Sequence, residues 1–192
     1  MSRFFAYISR MKHIKRWGLM PSFREENIQE HSLQVAMFAH ALALIQNKRY
    51  NGHLDPEHVM ALAVYHETAE VITGDLVTPI KYYNEEIRSA YKKIEKEAEE
   101  RMISMLPEDL KEDYRPLIQP SDPEEKLLVK AADKIAAYTK CLEERRSGNM
   151  EFIKAEQQLY DSIMNMKLPA VEDFMRECIP EFNVTLDELN EH

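Results

Sequence analysis

The sequence predicts an all-α fold, a single compact array of about seven to nine helices, on three observations. Where apolar residues are periodic, they recur at the three- and four-residue spacing of a helix face, and no sustained apolar–polar alternation marks a half-buried strand. Glycine is scarce, with only Gly18, Gly52, Gly74 and Gly148 in 192 residues. Helix starts are written plainly: Asp55-Pro56 and Asp122-Pro123 place proline where a helix has a backbone donor to spare. At this length the chain is expected to form one domain, residues 1–192, whose core needs neither a disulfide nor a structural metal.

In chain order, Ser2 can cap a first helix over 2–12, with Phe4, Phe5, Ile8 and Met11 as its core face. The basic turn after it carries Arg16 and Trp17 and ends at Gly18 and Pro21. Asn27 with Glu30 fits a capping box and opens a second helix over 27–47, with Leu33, Met37, Ala41 and Leu44 as its apolar stripe and His31 in its first turn. A third helix runs from Asp55-Pro56 to Thr73 and closes at Gly74. The segment 75–79 is then an irregular loop, because Pro79 disfavours helical geometry at Thr78.

Asn84 opens a highly charged helix over 84–106, with Ile87, Ile94 and Met102 on its narrower apolar side. Pro107 starts a short helical connector, and Pro116, Pro120 and Pro123 punctuate an irregular stretch behind it, expected to be the least ordered part of the chain. Asp122-Pro123 launches a helix over 122–147 that ends at Gly148. Helices over 149–166 and 169–179 follow, and Thr185 with Glu188 caps a last short turn.

Composition narrows the function. A net charge of −9 argues against a polymer nucleic-acid partner, which draws on clustered lysine and arginine. A single small anion is still compatible, since a divalent cation and one or two arginines can make a local positive pocket. Cys141 and Cys178 lack metal-ligand spacing and read as reduced thiols of a cytoplasmic protein. No apolar run is long enough to span a membrane. The amphipathic start resembles an interfacial helix, but its spacing favours a core helix.

The chemistry concentrates in YHETAEVITGDLVTPIK, residues 65–81. On a helix His66 and Glu70 share a face, and Glu67 reaches the same point from the side, an arrangement suited to a metal with a water beside it. Asp133 is flanked by Val129, Ala132, Ala136 and Ala137 and points inward; a cation or a salt bridge to a lysine would satisfy it. His31, His66, Glu67 and Asp133 together offer two imidazoles and two carboxylates, a set suited to Mn, Fe, Co, Ni or Zn more than to Ca or Mg.

The wording around these residues is more specific than their spacing. EHSLQVA at His31, YHETAEVITGDLVTPIK at His66, VKAADKIAAYTKCLEE at Asp133, the FFAYISRMK start and the FNVTLDEL end together resemble the HD-domain phosphohydrolases, and within them the bacterial 5′-deoxynucleotidases. The resemblance covers nearly the whole chain. It implies hydrolysis of deoxyribonucleoside 5′-monophosphates with a divalent transition metal such as Co or Mn, in a cytoplasmic homodimer.

By position, the resemblance implies metal ligation by His31, His66, Glu67 and Asp133 and a catalytic role for Glu70, with Arg16 and Asp75 beside it. It places Arg16 on the substrate phosphate, Trp17 near the sugar, and Asp75, Leu76, Val77 and Thr78 against the nucleotide, while His31, His66 and Asp133 also face the substrate. Two positions depart from the pattern: Glu67 stands where the superfamily has aspartate, and Val77 where close relatives often carry proline. The competing readings are a nucleotide-binding regulator impaired through Glu67 and an HD hydrolase of another nucleotide class. Turnover and phosphate stoichiometry separate them.

Overall fold

The computed structural model describes residues 2–81 and 83–190, with the Thr78 side chain outside the description. Its α-helices are α1 (Phe4–Ile8), α2 (Ile28–Tyr50), α3 (Pro56–Tyr65), α4 (Glu70–Thr73), α5 (Thr78–Lys81), α6 (Glu85–Ser104), α7 (Lys111–Ile118), α8 (Pro123–Arg146), α9 (Ile153–Met164) and α10 (Pro169–Glu177), joined by short 3-10 turns. Among the described residues there is no strand, only one isolated antiparallel bridge between Lys15 and Asn27.

The predicted starts hold because capping is local. The side chains of Asn27, Asp55, Asn84 and Asp122 each accept backbone N–H groups at the first turns of α2, α3, α6 and α8. At the C-terminal end Thr185 and Glu188 cap each other reciprocally. Ser2 accepts the Phe4 N–H at 3.4 Å at the start of α1 and donates to the Met105 carbonyl at 2.8 Å, tying the start of the chain to the end of α6.

The main core lies between α2, α3, α8, α9 and α10, around Val35, Phe38, Leu42, Leu62, Ile135, Leu142, Ile163 and Phe174. A second cluster gathers Phe4, Met102, Ile103, Leu106 and Ile118, with Tyr65, Val71, Ile72 and Tyr114 packed on it. Leu62 and Ala63 belong to the first cluster and Tyr65 and Val71 pack on the second, so the segment His66–Glu70 sits where the chain passes from one core to the other.

Several expectations are corrected. The stripe expected to bury α2 is split: Leu33 is 61% and Met37 52% exposed, Ala41 is half-buried against the main core and Leu44 is half-buried, whereas Val35, Ala36, Ala39, Leu42 and Ala43 are buried. α2 packs against α3, α8 and α10 and is apolar around most of its circumference, so periodicity alone does not choose its buried face. Phe5 and Ile94 are also exposed, although Phe5 keeps edge contacts with Phe4 and Tyr114.

The third predicted helix is also not continuous. Nδ1 of His66 donates to the Ala63 carbonyl at 2.7 Å, and the Thr68 hydroxyl donates to the Tyr65 carbonyl at 2.6 Å. These side chains compete for the backbone acceptors of the last turn of α3, and the chain tightens through His66–Ala69 before α4 begins. Pro79 lies inside the short α5 rather than in a loop, leaving 75–77 as the irregular segment, and Pro116 lies inside α7 in place of the expected irregular stretch. Gly74 precedes it at φ 73°, a conformation glycine adopts without Cβ strain.

Candidate metal centre and substrate site

His31 comes from the first turn of α2, His66 and Glu67 from the break between α3 and α4, and Asp133 from the middle of α8. One ligand atom from each lies within 4.8 Å of all the others. Nε2 of His31 is 2.9 Å from Oδ1 of Asp133, and Nε2 of His66 is 3.4 Å from Oε1 of Glu67. The two imidazole centroids are 5.7 Å apart.

The local geometry prepares these groups for a cation. A carbonyl can only accept, so the bond to Ala63 places the proton of neutral His66 on Nδ1 and leaves Nε2 with its lone pair toward the cluster. That Nε2 is buried and has no hydrogen-bond partner. Asp133 lies on the α8 face bearing buried Ala132 and Ala136. Despite burial, its carboxyl is held below the ordinary range, chiefly by His31 and then by His66 and Arg16. An orphaned imidazole nitrogen among two imidazoles and two carboxylates fits a divalent transition metal.

Arg16 reaches this centre from the turn before α2. Its N–H donates to the Glu26 carbonyl at 2.9 Å while the Ile28 N–H donates to the Ile14 carbonyl at 3.0 Å, holding the turn antiparallel to the start of α2. The guanidinium is 3.4 Å from Oε1 of Glu67 and 3.3 Å from Oε2 of Glu26. Burial opposes its charge, and Asp133, Glu67, Glu26 and Asp75 together more than restore it. Trp17 follows at φ 59°, half-buried, with its ring 5.2 Å from that of Phe152 and its indole N–H donated to Glu26 at 2.9 Å.

Glu70 opens α4 and is 6% exposed. Burial and then the neighbouring Glu67 carboxylate push its carboxyl up to about 10, and one of its oxygens has no hydrogen-bond partner. Asp75, Leu76 and Val77 are half-buried in the loop beyond Gly74. The Asp75 carboxyl is raised by burial and by Glu67, against the pull of Arg16. Thr78 follows by backbone position, at the start of α5.

A cavity of about 640 Å³ opens beside His66, Glu67 and Asp133. Lys81, Lys92, Lys96, Lys126 and Lys130 line it, together with Glu95 and Glu99, and Lys81 is paired with Glu95 at 3.0 Å. Glu26 was not singled out by the sequence. Beside Glu25 and just before a helix start it reads as one more exposed acid near a helix dipole, and nothing local distinguishes the two.

The sequence model described as 5′-deoxynucleotidase YfbR-like matches residues 3–182. A 5′-deoxynucleotidase of Vibrio vulnificus is 51% identical over 191 residues, 98% of each chain. The chain belongs to the YfbR-like 5′-deoxynucleotidase family. A second such relative, from Yersinia pseudotuberculosis, is 50% identical over 192 residues, 99% of this chain and 98% of its own.

Among solved structures, an HD-domain phosphohydrolase of Listeria innocua superposes with a TM-score of 0.81 at 22% identity, over 94% of this chain and 88% of its own. The HD phosphohydrolase of cyanophage S-2L, bound to dA and one catalytic Zn2+ ion, gives 0.63 at 20% identity, over 92% and 94%. These two likenesses establish that this YfbR-like chain has the HD-domain fold.

Proposed function

We propose that this chain is a metal-dependent 5′-deoxynucleotidase, hydrolysing deoxyribonucleoside 5′-monophosphates to the deoxyribonucleoside and phosphate. The observation that carries the reading is the convergence of His31, His66, Glu67 and Asp133 within 4.8 Å, with the Arg16 guanidinium 3.4 Å from Glu67, in a member of this family. Those four residues would hold the ion. A divalent cation bound there supplies positive charge against the phosphate oxygens and makes a water more acidic.

The chain's own residues do the rest. Arg16 clamps the phosphate through its planar fork. Glu70, buried next to Glu67, orients the attacking water, and it takes the water's proton once positive charge held at the quartet offsets the burial and the Glu67 carboxylate that push its own carboxyl up. Asp75 serves the leaving side, protonating the 5′ oxygen or receiving the 3′ hydroxyl. Trp17 walls the sugar at the 2′ position, and Leu76, Val77 and Thr78 lie along the nucleotide. An apolar wall alone rejects an added hydroxyl only ~100-fold, so steric exclusion by the indole must supply any stronger preference.

The reading takes residues 1–192 as one HD-type phosphohydrolase domain in a cytoplasmic homodimer. Both cysteines are free, consistent with a reducing compartment, and no described helix is long and apolar enough to cross a membrane. Leu33 and Met37 on α2 and Met60 and Val64 on α3 form exposed apolar pairs on packed helices, which supports a self-associating face. Co or Mn is the expected ion, and the mixed donor set also accommodates Zn.

The test is phosphate release from deoxy- and ribonucleoside 5′-monophosphates by metal-stripped protein, with Co, Mn, Zn and Mg restored separately. Turnover confined to the deoxy series and dependent on a transition metal is expected. Binding without turnover in every metal would overturn the reading.

A further inference from the structure

The Glu26 carboxylate touches both halves of the site. Its Oε2 accepts the Trp17 indole N–H at 2.9 Å and lies 3.3 Å from Nε of Arg16; its Oε1 lies 3.9 Å from Nδ1 of His31. Arg16 Nε and His31 Nδ1 are both buried, neither has a hydrogen-bond partner, and this one carboxylate faces both. A histidine that lends its Nε2 lone pair to an ion carries its proton on Nδ1, the His31 atom that faces Glu26. A movement of about 1 Å would turn that approach into a hydrogen bond.

A second, independent observation concerns Trp17. At φ 59° it occupies a left-handed conformation that a bulky side chain keeps only when its surroundings over-determine it. Three contacts do so: the Glu26 carboxylate, the Phe152 ring at 5.2 Å, and the Met20 N–H donated to the Trp17 carbonyl at 2.8 Å. Only the first of these leads back to the metal ligands.

We propose that Glu26 is a positioning residue that couples the metal centre to the sugar wall: one carboxylate orients His31 for the ion and sets the Trp17 indole, so that metal loading and the placement of Trp17 are linked. The assignment of Trp17 to the sugar rests on the reading given above. The link between His31, Glu26 and Trp17 does not.

Trp17 is the only tryptophan, so intrinsic emission reports its surroundings directly. The experiment titrates Zn2+, which has no unpaired electrons to quench emission, into metal-stripped full-length protein, following emission and calorimetric heat together. In the native protein Trp17 emission is expected to change with the calorimetric midpoint. In Glu26→Ala the emission response is expected to vanish and Zn2+ affinity to fall ~10–100-fold, as for loss of a group supporting a metal ligand. Glu26→Gln, whose amide oxygen can still receive the indole N–H, is expected to keep the native starting emission and lose the affinity, and Glu26→Asp to recover part of both.

Silent native emission on Zn2+ loading, or native affinity in both Glu26→Ala and Glu26→Gln, would overturn the coupling. Circular dichroism checks the fold of each variant, and if Glu26→Ala fails to fold, native Zn2+ affinity in Glu26→Gln alone overturns it. A final arm compares deoxy- and ribonucleotide turnover at saturating Zn2+, where Glu26→Ala is expected to narrow the ratio. Coupled emission together with no turnover on any nucleotide would sink the nucleotidase reading and leave the coupling standing.

Discussion

Nε2 of His31 lies 2.9 Å from Oδ1 of Asp133, joining the first turn of α2 to the middle of α8 across 102 positions of chain. Both residues belong to the cluster whose ligand atoms converge within 4.8 Å, so an ion held there cross-links α2, the α3–α4 break and α8 at one point. Binding to the folded state alone stabilises by mass action, ~2.7 kcal/mol at a hundredfold excess over Kd, or roughly 5–10 °C in Tm for a chain of this size. Thermal melts of metal-stripped protein with and without Zn2+ or Mn2+ should show that rise in the native chain and lose it in His31→Ala and Asp133→Ala. An equal rise in Asp133→Ala would place the ion elsewhere.

Glu70 is buried one turn beyond His66, with one oxygen unpartnered, and its backbone N–H donates to the Glu67 carbonyl at 3.0 Å. It is therefore held close to the His31, His66, Glu67 and Asp133 cluster without belonging to it. Glu70→Gln, nearly isosteric, should keep metal and nucleotide affinity while kcat falls ~100-fold or more. Single-turnover kinetics beside calorimetric nucleotide binding would check it, and native turnover would remove Glu70 from the chemistry.

How much of this was legible depends on how local the cause is. Asn27, Asp55, Asn84 and Asp122 could be read as helix starts because a cap is written within three residues, although Glu30 makes no return bond to complete the box at Asn27. The candidate quartet could be named from its motifs, and its meeting in space depends on packing of α2, α3 and α8 that no single segment encodes. The break at His66 was hidden because it rests on side chains taking the carbonyls of Ala63 and Tyr65. Lys140 and Glu144 look like an ordinary surface pair at helical spacing, and only the tertiary structure puts both inside.

Oε1 of Glu67 lies 3.4 Å from both His66 Nε2 and Arg16 Nη1. An aspartate would withdraw the carboxylate by roughly 1.5 Å, one bond length. Glu67→Asp should therefore keep Zn2+ affinity within ~10-fold while freeing Arg16, raising KM for the nucleotide more than it lowers kcat. Glu67→Ala, with a ligand gone, should lose more than ~10-fold in affinity. Calorimetry and steady-state kinetics separate the two effects, and native Zn2+ affinity in Glu67→Ala would strike Glu67 from the ligand set.

The loop that follows Trp17 is anchored on a buried ion pair. The Glu144 carboxylate, 2% exposed, accepts from Lys140 Nζ at 2.5 Å, from the Phe23 and Arg24 N–H groups at 2.9 and 3.2 Å, and from Asn149 at 2.8 Å, while Lys140 also donates to the Arg24 carbonyl at 2.6 Å. Burial alone would raise the Glu144 carboxyl, but Lys140 and then these donors hold it down to about 2. A folded-state pKa below the ordinary 4.5 means that the pair's contribution to stability is complete above about 4.5 and is lost as pH falls toward about 2. Glu144→Ala strands a buried ammonium, at a cost of ~3–5 kcal/mol near neutral pH. The stability gap between native and Glu144→Ala protein, measured by denaturant unfolding, should be widest near neutrality and narrow steadily as the solution is acidified below about 4.5. Exposed Glu85, replaced in the same way, should show almost no gap at any pH. A Glu144 gap that stayed constant on acidification would mean that the loop is held by packing rather than by this carboxylate.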